Sequence, residues 1–245
     1  MLTKITLTTL TILLLIGCAN SLFKDSYKEV VIEKQAWMEK NLDVNKFRNG
    51  DAIALVNTEE NWGKAIHDKK PAMCYYNFDI ANADKYGALY NWYAVNDSRG
   101  LAPEGWRIPT DKDWENLISN LEGEKFAGPK LKSTVGWSRN GNGNNESGFN
   151  AYPSGLIDGH KNNSDSYVYT ETPLVIFKTP VKSSLFSKEK TCASFWSSTE
   201  TYPKVVYNVT LYYFDYLKIS NAKYDSSGIV DDTYYGRSVR CIKNY

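Results

Sequence analysis

Two stretches in the first half of the chain place apolar residues on one helical face. Tyr86, Leu89, Tyr90 and Tyr93 fall at i, i+3, i+4 and i+7 and predict a short helix within 86–95. Trp114, Leu117, Ile118 and Leu121 form a second stripe. Thr110-Asp111-Lys112-Asp113 opens it with a capping-box layout, Asp standing where Glu is usual, and Gly123 is placed to end it. Elsewhere the pattern is extended. Glu29 to Trp37 (EVVIEKQAW) reads as a strand, and Val205 to Phe214 as another with Val205, Tyr207, Val209, Leu211 and Tyr213 on one face. Residues 238–242 read as a closing strand. Residues 57–72 form a polar excursion with some amphipathic character around Trp62 and Ile66, and 136–155 are loop-like, dense in Gly and Asn. Residues 161–191 read as a variable polar insertion with one strand-like piece, Leu174 to Phe177. Two helices early and strands late predict an α+β domain.

The N-terminus follows a different pattern. After Lys4, residues 5–16 carry no charge and end in an apolar run, and as a helix they would span about 18 Å, short of the roughly 30 Å hydrocarbon core of a bilayer. A secretory signal fits better than a membrane span. Leu15-Ile16-Gly17-Cys18 resembles the lipobox of bacterial lipoproteins, which implies cleavage after residue 17 and lipidation of Cys18 by acyl chains such as palmitate. Several acyl chains, at about 0.8 kcal/mol per buried methylene, anchor a protein stably. The expected organisation is a signal peptide (1–17), a tether (18–29) and one domain (30–245) in the cell envelope, at the outer membrane.

Composition supports a folded domain, with 42% hydrophobic and 23% charged residues. The 14% aromatic content leans toward strands, where rings suit a pleated surface. The formal charge of +1 becomes 0 once Lys4 leaves with residues 1–17, and there is no basic run, so nucleic acid is disfavoured as a partner. With Cys18 lipidated, Cys74, Cys192 and Cys241 remain, and spacing leaves all three pairings open. No C-x-x-C motif, histidine pair or serine elbow marks a metal site or a catalytic nucleophile, and no cofactor is expected. His67 and His160 sit in separate polar segments. The Asn/Gly/Glu loop at 140–150 offers calcium only one carboxylate, Glu146, and reads better as a structured turn. Trp62 and Trp137, in polar or Gly-rich surroundings, are the better candidates for exposure among the tryptophans, although core or subsurface packing is the commoner role of so large a ring. With Asn144 and Glu146 they form the expected ligand-binding set.

Seven segments in order resemble the Fibrobacter succinogenes major paralogous domain. They are Trp37-Met38-Glu39-Lys40-Asn41-Leu42; Tyr86 to Trp92; Gly105 to Thr110 with Trp114; Gly128 with Leu131-Lys132-Ser133; Glu146 to Ala151; Trp196 to Glu200; and Val239-Arg240-Cys241. The resemblance implies a fold similar to C-type lectins and formylglycine-generating enzymes, with two helices against twisted antiparallel strands and long loops. It also implies a Cys74–Cys241 disulfide. It implies no defined activity. The expected function is a non-catalytic binding or interaction module, attached to the membrane by its lipid and directed at glycans or surface proteins. The alternatives are a structural subunit of a surface assembly, or an enzyme related to the formylglycine-generating family.

Overall fold

The computed structural model describes residues 27–159, 186–187, 190–214, 217–220, 224–225, 228–229 and 231–244. Cys18, His160 and the strand-like 174–177 lie outside them. The stretch 29–37 is a hairpin and not one strand. Glu33 adopts a positive φ of 53°, which reverses the chain between β1 (Glu29–Ile32) and β2 (Gln35–Met38). The pair stands in register Val30↔Trp37. Strands β15 (Ile242–Lys243) and β6 (Trp106–Arg107) complete a four-stranded sheet in the order β1-β2-β15-β6. Both ends of the domain therefore lie in one small sheet. The carbonyl of Lys28 accepts from the Glu39 N–H at 2.9 Å.

The larger sheet runs β11 (Leu217–Ser220), β10 (Val205–Tyr212), β9 (Cys192–Tyr202), β14 (Tyr235–Ser238), β5 (Leu89–Asn91), β4 (Ala72–Cys74) and β3 (Ala54–Leu55). β7 (Leu156–Asp158) pairs with β14 and with β8 (Phe186–Ser187), and β12 (Tyr224–Asp225) and β13 (Gly228–Ile229) form a separate two-stranded pair. Strand β10 is buried on both faces. Tyr207, Val209 and Leu211 join one core cluster and Val206 another. The fold is mixed, mostly sheet with few and short helices.

Five α-helical segments accompany the sheets among the described residues: α1 (Glu59–His67), α2 (Ala83–Tyr86), α3 (Trp92–Val95), α4 (Asp111–Asn120) and α5 (Glu124–Leu131). α4 has the expected N-terminus. The Thr110 side chain accepts from the Asp113 N–H at 3.2 Å, and the Asp113 carboxylate accepts from the Thr110 N–H at 2.7 Å. Gly123, φ 87°, donates back to the Ile118 carbonyl and then starts α5, a helix the periodicity did not predict.

The expected helix across 86–95 is instead a turn of helix, a strand and another turn. Gly87 breaks it, with φ 68° and so little room that a Cβ would lie 2.8 Å from Asn41 Cβ and 3.0 Å from the Leu42 carbonyl oxygen. Leu89 and Tyr90 then pair with Cys74 and Met73 on one side, and with Ser238 and Arg237 on the other. The Asn91 side chain caps α3 by accepting from the Ala94 N–H at 3.0 Å.

Alternation along β4 and β5 sorts side chains between two cores. Met73 and Tyr90 face the cluster that holds Cys241, Trp106 and Trp196. Cys74 and Leu89 face the cluster that holds Trp62, Tyr76 and Ile157. This corrects the expected Cys74–Cys241 disulfide. The two are fully buried thiols with no disulfide, on opposite faces of the sheet, and Cys192 is fully buried as well.

Candidate functional site

Three of the family-like segments converge on one arginine. Arg240 is 1% exposed, with its guanidinium laid over the Phe149 ring at 4.3 Å. Its Nη1 donates to the carbonyls of Met38, Glu39 and Phe149. Nε and Nη2 donate to Asn41 Oδ1 at 2.9 and 2.8 Å. Asn41 passes the restraint on, its Nδ2 donating to the Tyr86 carbonyl at 2.9 Å. Arg240 thus ties the end of β2, the loop before residue 151 and the start of the 86–92 segment to the last stretch of chain. All its acceptors are neutral, and burial lowers its pKa to about 9.

Above this floor lies an open cleft of about 270 Å³, lined by Arg240 and Asn41 below and by Glu39, Lys40, Asp43, Asp84, Lys85, Asn150 and Tyr152 around the rim. Asp43 accepts from the Tyr75 hydroxyl at 3.0 Å. Burial, reinforced by that carboxylate, pushes the Tyr75 pKa up to about 12. Lys85 Nζ stands 5.0 Å from the Tyr86 ring centre and 5.9 Å from that of Tyr152. The site therefore combines rigid, fully bonded polar groups beneath with exposed charges of both signs at the edge.

A second polar cluster holds the entrance to α4. Arg107 Nη2 donates to Asp113 Oδ1 at 2.8 Å, and Thr199 Oγ1 donates to Asp111 Oδ1 at 3.0 Å. Burial pushes the Asp113 carboxyl up, and the bonds from Arg107 and Thr110 outweigh it, so its pKa falls below the usual aspartate value. Arg237, 5% exposed, pairs with Asp232 at 2.9 Å and lies between the rings of Trp196 and Tyr235. Both clusters fix elements in place.

The residues expected to bind ligand are not gathered in one place. Trp62 is 1% exposed, buried on the inner face of α1 and packed so closely that a Cβ on Gly236 would lie 2.7 Å from its ring. Trp137 is 6% exposed, and its Nε1–H donates to Ser133 Oγ and the Ala151 carbonyl, each at 3.2 Å. The polar neighbours that suggested exposure lie on the outer side of each segment, while the rings face inward because so large an apolar area stabilises the core. Asn144 and Glu146 are exposed, yet they serve their own loop: Asn144 Oδ1 accepts from the Glu146 N–H at 3.1 Å, and Glu146 lies 3.5 Å from Lys130 Nζ. No group of three or more His, Cys, Asp or Glu residues suited to a metal occurs among the described residues. His67 sits at the surface beside Asp68.

The cleft residues were missed. Their one signal was the presence of charged and amide residues inside otherwise apolar family-like segments: Glu39, Lys40 and Asn41 after Trp37-Met38, Asn150 after Phe149, and Arg240 before Cys241.

Among known families, the description that matches the chain is the Fibrobacter succinogenes major domain, over residues 30–243. No curated protein and no solved structure matches the chain.

Proposed function

Because the chain belongs to the Fibrobacter succinogenes major domain family, we propose that it is an envelope lipoprotein whose domain, C-type-lectin-like in fold, binds a ligand without transforming it. Cys18 carries the lipid, the outer membrane is the site of attachment, and glycans lead surface proteins as the ligand class. The observation that carries this reading is the cleft over Arg240. Its floor is immobilised by bonds to three separate segments, while its rim keeps hydrogen-bonding groups turned to water. Preformed concavity with a few fixed polar groups is the usual form of a small-ligand site. Sugars, with hydroxyls on every side, suit a rim of carboxylates, amides and ammonium groups. The late cysteines weigh against the formylglycine-type alternative. Cys192 and Cys241 are fully buried, and burial pushes Cys241 up to about 12, which suppresses the thiolate that such chemistry needs.

Two measurements test the reading. Mass spectrometry of the native protein is expected to find Cys18 as the first residue, carrying acyl chains; residues 1–17 intact and no acyl group would remove the anchor. A glycan array probed with the full mature chain in detergent is expected to show selective signals that Asp84→Ala weakens. A uniformly blank array would remove the sugar reading.

A further inference from the structure

Cations and carboxylates line the cleft together without neutralising one another. Glu39 and Asp84 bring negative charge to its rim, and Lys40 and Lys85 positive charge. Among the described residues none of these four forms an ion pair with another. Arg240, beneath them, is likewise bonded only to neutral oxygens. Exposed opposite charges gain little from pairing with one another in water, because solvent screens them and holding two flexible side chains together costs entropy, so all four remain available to an occupant. Glu39 and Lys40 follow β2, whose end is clamped by Arg240, and Asp84 and Lys85 lie on α2, held where the Tyr86 carbonyl accepts from Asn41.

We propose that the cleft selects a sugar that is charged at both poles, carrying a free amine for the Glu39 and Asp84 carboxylates and an acidic group for Lys40, Lys85 and the field of Arg240. A neutral sugar would leave the charges hydrated and gain only hydroxyl contacts. A sugar with one charge would satisfy one sign and repel the other. The zwitterion makes charge-assisted hydrogen bonds to both, which are roughly twice as strong as neutral ones. This inference rests on the reading of the cleft as a glycan site.

The test uses the full mature chain in detergent and four glucose-based probes chosen for the charged groups they carry: muramic acid, with amine and carboxylate; N-acetylmuramic acid, with the carboxylate alone; glucosamine, with the amine alone; and glucose, with neither. Titration calorimetry is expected to show muramic acid binding at least about tenfold more tightly than each of the others. The double variant Glu39→Gln/Asp84→Asn should erase its advantage over N-acetylmuramic acid, and Lys40→Gln/Lys85→Gln its advantage over glucosamine. All four substitutions are at the rim, and an unchanged melting curve verifies the fold of each variant. Equal affinity for all four sugars, or a preference that survives both double variants, would overturn the charge selectivity. If a positive glycan array accompanies that result, the glycan reading stands and only the selectivity falls; if the array is blank as well, both fall.

Discussion

A buried guanidinium without a carboxylate is a costly thing to fold around, and Arg240 is retained because its donors answer oxygens that would otherwise be stranded. The carbonyls of Met38, Glu39 and Phe149 point inward from segments that share no ladder at that point. Arg240→Met would keep the stem's packing but withdraw those donors. We expect a loss of roughly 2–4 kcal/mol in urea unfolding. Arg240→Lys should recover little of it, because one ammonium cannot serve Asn41 Oδ1 and three carbonyls together. An unchanged urea midpoint for either variant would contradict the clamp. At this scale the sequence was legible only by type. Arg240 stood out as a charged residue in an apolar closing stretch, but nothing local says that its partners lie near residues 38–41 and 149. Trp62 and Trp137 misled for the complementary reason: their neighbours in sequence are polar, whereas their neighbours in space are Gly236, Ile157, Ser133 and Ala151.

Elements built from local rules could be read, and those built from distant contacts could not. α4 was readable because its cap, stripe and terminator all lie between Thr110 and Gly123. β5 was not, because Tyr86, Leu89, Tyr90 and Tyr93 satisfy a helical period while Asn41 and Leu42, far away in sequence, press on Gly87 and forbid the helix. The 29–37 hairpin was hidden in a similar way by a turn of charged residues that carries no Gly, Asn or Pro. The cap of α4 also predicts a pH response. The folded pKa of Asp113 lies below its unfolded value, so its stabilisation is complete above the unfolded pKa near 3.8 and is lost as pH falls through the folded value. Asp113→Asn should cost about 1 kcal/mol at neutral pH. It should also flatten the fall in stability on acidification. Equal slopes for variant and wild type in urea titrations between neutral and acid pH would refute this.

Across the whole molecule, the sheets decide what the cysteines can do. With Cys74 and Cys241 turned to opposite faces of the larger sheet, and Cys192 fully buried in β9, an oxidising compartment has no exposed thiol to act on among the described residues. Burial raises the pKa of Cys74 as well as that of Cys241. Ellman's reagent should leave the native chain unmodified and titrate three thiols once it is unfolded in urea. Prompt modification of the native protein, or fewer than three thiols after unfolding, would count against this arrangement. Mixed helix and strand content was readable from composition and periodicity, but the strand order, with β14 set between β9 and β5, was not, because it pairs β14 with β5, more than a hundred residues earlier in the chain.

The meeting of Lys28 with Glu39 has a mechanical consequence. A pull on the chain ahead of residue 27 reaches the domain first at that bond and then at the open end of the β1–β2 hairpin, whose rungs would unzip in succession instead of shearing together. Glu39 belongs at once to this seam and to the rim of the cleft, so an occupant gripping its carboxylate would brace the seam against tension.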